Sequence, residues 1–402
     1  MKKGKLLETT GLKLVGFLLI MVVVGFTTQG KENAKVKAFP GTVGTLAWSF
    51  PKPGWEMRAS PAVANIDADP YLEVVIPAVN TGSGDYKVYC ICGNNNTVEW
   101  EFNLGGVTES TPAIGDVDGD GAMEVVLGCQ DDKVYCINGS TGESEWNYTA
   151  GANVDHPVAI ADIDTDGIAE VIAVTGSDLH VISGTNGFWE WYYNGSSTIT
   201  TPSIGDLDLD GDIELVVPCM DMSVYCIRGD NGMVKWQNTD AMASFKAPAS
   251  LGDLNGDGII DAVTGSGDGN LYAFSGNNGA ELWHCNIGDI DTNPSVMGDI
   301  DGDALMDIVV STGSTVRCIN GNNGTIKWSH ATTSPFHATP ALGDVDGDGD
   351  VEVMSAYYRF LICLDNTGDR EWNYTLVEWD SFRWDISLAD VDVDGNVEIL
   401  IV

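Results

Sequence analysis

Positive charge is what this sequence lacks most: 19 Lys and Arg stand against 59 Asp and Glu in 402 residues, a formal net charge of −40. A chain so poor in cations repels phosphate backbones, which argues against nucleic acid as a partner. Histidine is scarce too, and the five present (His156, His180, His284, His330, His337) form no H-E-x-x-H zinc motif. There is no G-x-S-x-G elbow, and Gly265-x-Gly267-x-Gly269 lies in a hairpin pattern with no helix behind it to receive a phosphate. Beyond residue 30 no segment sustains the 3.6-residue apolar period of an amphipathic helix. The apolar runs are four to six residues long and bounded by Gly, Asn, Asp and Pro. The class is all-β.

What the chain does have is one paragraph written many times. From Thr111 to Trp146 it reads as a small-residue strand, an acidic loop Asp116-x-Asp118-x-Asp120-Gly121-x-x-Glu124, an apolar strand, a third strand ending at Asn138-Gly139, and a fourth that closes on an indole. The first loop position recurs at Asn65, Asp116, Asp162, Asp206, Asp253, Asp299, Asp344 and Asp390, in steps of 51, 46, 44, 47, 46, 45 and 46 residues. The indole recurs at Trp48, Trp100, Trp146, Trp191, Trp236, Trp283, Trp328 and Trp372. A period near 45 with four short strands per unit is the signature of a propeller blade.

The ends of the chain complement each other. Val36–Trp48 aligns without a gap to Leu271–Trp283, the second half of a repeat, while Ile386–Val402 carries only a first half. A linear array has no reason for such ends, whereas a ring closes with them and removes its exposed edges. The expectation is an eight-bladed β-propeller of four-stranded blades over residues 34–402, its last blade built by strands from both termini. Residues 1–30 differ in kind: Lys2, Lys3 and Lys5 precede an apolar run from Leu14 to Phe26. That run is shorter than the ~20 residues of a membrane span, so it reads as an export signal, with an uncleaved signal-anchor the alternative and the only route to a membrane. The expected location is secreted or cell surface.

Nine cysteines invite a disulfide framework, but Cys90, Cys136, Cys226, Cys318 and Cys363 share one repeat position with Ala38 and Ala273, which calls for a small buried side chain. Cys129 with Cys136 and Cys219 with Cys226 share a spacing of seven, leaving either free thiols or a cross-strand disulfide in each.

The acidity is local. Loop positions 1, 3, 5 and 9 over eight repeats hold 30 carboxylates, all 32 positions but Asn65 and Asn255. The other 29 acids face 19 basic residues, leaving about −10, an ordinary solubility charge. The candidate ligands are Asn65, Asp67, Asp69 and Glu73 in blade one, Asp116, Asp118, Asp120 and Glu124 in blade two, and Asp162, Asp164, Asp166 and Glu170 in blade three. Asp206, Asp208, Asp210 and Glu214 follow in blade four, Asp253, Asn255, Asp257 and Asp261 in blade five, and Asp299, Asp301, Asp303 and Asp307 in blade six. Asp344, Asp346, Asp348 and Glu352 serve blade seven, and Asp390, Asp392, Asp394 and Glu398 blade eight. Oxygens at alternate positions wrap one point, as Ca²⁺ requires, and a glycine after the fifth supplies the turn. Pro70 and Ala304 replace that glycine, so blades one and six are expected to bind weakly. An EF-hand needs a bidentate Glu at position 12, where this chain has Ile76, Leu127, Ala173, Val217, Thr264, Val310, Ser355 and Ile401. The remaining alternative is an Asp-Gly turn that holds no metal.

These loops resemble the calcium loops of FG-GAP (integrin α-type) and VCBS repeat propellers. The second half, VYCINGSTGESEW, is similar to the tryptophan-docking repeat of quinoprotein-like propellers with eight blades. The resemblance covers residues 34–402. It implies side-chain ligands at positions 1, 3, 5 and 9 and a backbone carbonyl at position 7. Both families host enzymes and inert scaffolds. The redox centre of many quinone enzymes uses adjacent cysteines, and here Ile91 separates Cys90 from Cys92.

Three of the four Trp that do not close a repeat gather where blades seven, eight and one meet. Trp379, Phe382, Arg383 and Trp384 lie in one connection, Trp55 and Arg58 in the next. Indoles rimmed by Arg suit sugar rings; the alternative is that these aromatics plug the seam of the composite blade. The expected function is an exported calcium-binding module for an extracellular protein or glycan. A calcium-dependent polysaccharide lyase or glycosidase, and an envelope assembly scaffold, are the alternatives.

Overall fold

Each of the seven complete repeats folds as one four-stranded sheet in sequence order. Blade two runs Ala113–Gly115, Glu124–Cys129, Lys133–Asn138 and Ser144–Thr149, each strand antiparallel to the last. A computed structural model describes residues 55–375 other than 68, 196, 198, 289–293, 337, 346 and 347, together with residue 386 and the strands Ile20–Val23, Thr45–Leu46, Ser387–Ala389 and Glu398–Ile401. Seven antiparallel sheets of this kind follow one another, from Ala62–Ala64 in blade one to Arg370–Thr375 in blade seven. The first strands of blades one, two and three touch in succession, as do those of blades four to eight, so the first strands line the centre and the fourth strands the rim.

The strand patterns follow from this stacking. Every residue of Glu124–Cys129 is buried, because a second strand is covered on both faces by neighbouring blades. This is why the sequence shows unbroken runs such as Val125-Val126-Leu127 there. The fourth strand, at the rim, alternates exposed and half-buried side chains around its one buried indole.

An eighth sheet joins both ends of the chain, in the order Thr45–Leu46, Ile20–Val23, Glu398–Ile401, Ser387–Ala389. Ile386 and Ile399 bury against Met354, Leu361 and Cys363 of blade seven. The outer strand falls within the expected Val36–Trp48 stretch. The third place differs: Ile20–Val23, inside the apolar run expected to be an export signal, takes it, parallel to both neighbours, instead of residues 36–38. A third strand packs between two others, and the β-branched run Ile20-Met21-Val22-Val23 suits that place better than Val36-Lys37-Ala38.

The closing indoles are latches between blades. Trp146 donates its Nε1–H to the Gly184 carbonyl of the next blade at 2.6 Å, and the same bond joins Trp100 to Gly139, Trp191 to Gly229, Trp236 to Gly276, Trp283 to Gly321 and Trp328 to Asn366. Each ring also lies against a second turn glycine. A Cβ on Gly187, whose φ is +71°, would sit 2.8 Å from the Trp146 ring. Truncating such a ring opens a cavity between blades as well as losing the bond, so Trp146→Ala is expected to cost about 3–5 kcal/mol in a denaturant melt. A loss below ~1 kcal/mol would show that the blades hold together without it.

All nine cysteines are free thiols. Cys129 stands opposite Lys133 and Cys136 opposite Val126, so the spacing of seven does not bring the two sulfurs across from each other, and no disulfide forms.

Candidate metal centre

The acidic loop is shaped by its own backbone. In blade two Asp116 accepts N–H bonds from Gly119 at 2.8 Å and Gly121 at 3.0 Å, Asp118 from Asp120 at 3.0 Å, and Asp120 from Ala122 at 2.7 Å. Glu124 reaches back from the head of strand two to accept from Val117 N at 2.9 Å. The bond from the position-2 amide to the position-9 carboxylate recurs in blades one, three, four, five and seven. In the loops of blades two to six the fourth and sixth residues both take φ > 0. The sixth was legible as glycine, but the fourth was not, because Gly119, Thr165, Leu209, Gly256 and Gly302 all occupy it, at φ between 59° and 78°.

The two loops without the turn glycine part company. Ala304 adopts φ 67° and still donates to Asp299 at 2.9 Å, so blade six keeps its shape despite a strain of ~1 kcal/mol. Pro70 has no N–H to give, and in blade one Asn65 turns its Nδ2 onto the Asp69 carbonyl at 2.5 Å. Of the remaining candidate ligands, Asp346, Asp390, Asp392 and Asp394 lie outside the described residues, as does the side chain of Glu398.

Carboxylate oxygens of Asp116, Asp118 and Glu124 all lie within 4.8 Å of one another, and so do those of Asp162, Asp164 and Glu170, of Asp206, Asp208 and Asp210, and of Asp299, Asp301 and Asp303. Glu73 and Glu124 are fully buried, and their Oε1 atoms have no hydrogen-bond partner. A buried orphan oxygen beside two or three further carboxylates fits a hard cation with oxygen ligands, and Ca²⁺ suits that donor set. Burial, reinforced by the neighbouring acids, pushes Glu73, Glu124 and Glu170 up to about 7 and Asp261 to about 6.

This gives a pH prediction. A carboxyl raised from its ordinary value to about 7 on folding makes the native state hold more protons than the unfolded chain between roughly pH 4.5 and pH 7, so stability falls as pH rises through that window. In chelator the protein is expected to melt higher at pH 5.5 than at pH 8. A melt that rises with pH in chelator would contradict it.

Sequence reasoning missed one functional position, the residue before the closing indole. The fourth strand bulges there in all seven described blades, so Cys136 faces Trp146 and Ile137 faces Ser144, with Glu145 left over. Such a bulge re-aims a side chain, here toward the acidic loop. Glu99 joins Asp69, Glu73 and Cys92 within 4.8 Å, and Glu190 is raised by burial and by Asp164 and Asp166. In blades four and six the residue is a lysine. Lys235 Nζ lies 2.8 Å from Asp208, 3.5 Å from Asp210 and 2.7 Å from Glu214. Lys327 Nζ lies 2.6 Å from Asp301 and 2.7 Å from Asp307. The visible signal was a sign change at one repeat position.

The aromatic seam is only partly described. Trp379, Phe382, Arg383 and Trp384 lie outside the described residues. Trp55 is 8% exposed and packs edge-on to Tyr89 among Met57, Val74 and Ile76, so it is core of blade one and no sugar platform. Arg58 stays at the surface, paired with Glu56 and Glu109. The exposed aromatics among the described residues include Phe188, Trp189 and Tyr192, on or beside the outer strand of blade three.

Fold and loops together define a β-propeller whose blades join tryptophan-docking hairpins to FG-GAP-type acidic loops. A family model described as outer membrane protein assembly factor BamB matches residues 32–300, and the chain belongs to that family. An FG-GAP-like repeat model matches residues 299–355. Among solved structures the chain is similar to BamB from Moraxella catarrhalis, at 13% identity and TM-score 0.60 over 83% of this chain and 92% of that one. It is also similar to a quinohemoprotein alcohol dehydrogenase from Comamonas testosteroni, at 10% identity and TM-score 0.65 over 86% and 70%. A europium-containing methanol dehydrogenase matches at 11% identity and TM-score 0.64 over 85% and 82%. At such identities the likeness is one of fold. No curated protein matches the sequence.

Proposed function

We propose that the protein is an exported, calcium-loaded propeller that acts as a non-catalytic scaffold, binding an extracellular or envelope protein or a glycan at the cell surface. The observation that carries the cation is the position-9 carboxylate: Glu73 and Glu124 are wholly buried, each with one oxygen tied to a backbone N–H and the other without a partner, facing further acids. Leaving such a group charged and uncompensated is costly, and a divalent ion at positions 1, 3, 5 and 9 removes the cost. Family membership supports an assembly role and a protein partner. The binding surface proposed is the seam between blades seven and one, through Trp379, Phe382, Arg383 and Trp384, with Arg58 at its edge.

A panel of cell-surface polysaccharides and envelope extracts, offered to the calcium-loaded protein, tests this. Capture that Trp379→Ala or Trp384→Ala abolishes without moving the melt supports a binding seam. Release of unsaturated or shortened sugars would replace the scaffold with a polysaccharide-active enzyme. A large fall in melting temperature with capture unchanged would make the seam core.

A further inference from the structure

The seven described acidic loops are not equivalent, and the difference lies outside the loops. The bulge residue before each closing indole is Glu in blades one, two, three and seven, Leu in blade five, and Lys in blades four and six. Where it is Glu, it adds a carboxyl beside the loop: Glu145 accepts from Asn138 Nδ2 at 3.0 Å, and Glu99 stands among Asp69 and Glu73. Where it is Lys, the ammonium sits where the carboxylates converge. Lys235 bridges the third, fifth and ninth positions of blade four, and Lys327 does the same in blade six. The Nζ groups lie within 2.6 to 2.8 Å of the position-3 and position-9 oxygens, and the position-9 acids Glu214 and Asp307 are buried.

We infer that Lys235 and Lys327 are resident counter-ions that take the place of the metal in blades four and six, so that the bulge residue, and not the loop, decides which blades are loaded. This rests on the calcium reading of the other loops. An ion held by these oxygens at about 2.3–2.6 Å would overlap the ammonium and be repelled by it. Swinging the lysine out would break its charge-assisted bonds to a buried carboxylate. Burial works against the charge on Lys235 and Lys327. Hydrogen bonds to Asp208 and Glu214, and to Asp301 and Asp307, outweigh it and hold both groups charged well above neutral pH. The missing turn glycine is therefore not what sets blade six apart, and blade four, whose loop sequence is complete, is set apart with it.

The test is calcium stoichiometry by equilibrium dialysis on the intact protein, wild type against Lys235→Glu/Lys327→Glu, which gives blades four and six the bulge residue of blade two. The double variant is expected to bind two more ions per chain. An equal, non-zero number in both proteins overturns the inference while leaving the calcium reading intact, and no binding by either overturns both. Should the double variant fail to fold, the converse change serves: Glu145→Lys is expected to lose one ion from blade two and to raise the melting temperature in chelator. Unchanged stoichiometry in Glu145→Lys would equally defeat the inference.

Discussion

In excess chelator the protein is expected to melt markedly lower than in millimolar calcium, and added magnesium is expected not to restore it. Extracellular calcium modules bind at roughly 10⁻⁴ to 10⁻³ M, which at near-millimolar calcium adds about 0.4 to 1.4 kcal/mol per site by linkage. With the two lysine-filled loops set aside, six loops contribute about 2 to 8 kcal/mol. At an unfolding entropy of about 2.1 cal/mol/K per residue that is a shift of about 3 to 10 °C for a domain of this size. Magnesium keeps its water and demands short, near-octahedral contacts, so a loop whose ligands suit the longer and more flexible contacts of calcium holds it poorly. Differential scanning calorimetry with and without EDTA decides the matter, and superimposable traces would sink the calcium reading.

Deleting residues 386–402 is expected to be still more damaging. It removes the strands Ser387–Ala389 and Glu398–Ile401, leaves Ile20–Val23 without its neighbour, and uncovers the apolar face of blade seven against which Ile386 and Ile399 pack. Blade seven's inner face would meet water and a sheet edge would stand open, the condition for edge-to-edge pairing between molecules. Size-exclusion chromatography is expected to show aggregates. A monomeric truncation with the wild-type melt would show that the C-terminal strands do not close the ring.

The features that the sequence made legible are those encoded within a few consecutive residues. The period, the acidic loop, the indole and the hairpin turns each sit inside one short stretch, and repetition makes their spacing unmistakable. What escaped depends on how strands meet. The spacing of Cys129 and Cys136 leaves both free thiols and a disulfide open, and only the hairpin register, which sets each opposite another residue, decides for free thiols. Trp55 is a sugar-binding candidate in the sequence because it falls beside Arg58 near the other indoles that close no repeat, yet it folds back on Tyr89 and takes the alternative place, in the core. Lys235 and Lys327 belong to no motif in the sequence. Only the bulge, which shifts one side of the ladder by a residue, turns them onto the loop. The glycine at loop position six was over-read, since Ala304 takes the same conformation.

The indole latches all point the same way along the chain: every described one reaches from its own blade to the carbonyl of the blade that follows. During synthesis, then, each newly made blade emerges with an indole that has nothing to dock on until about 38 to 40 further residues have left the ribosome, the separation between each Trp and its partner. The growing chain carries one sticky leading face at a time, handed forward blade by blade. Chaperone dependence should therefore track the newest blade and not the length already made.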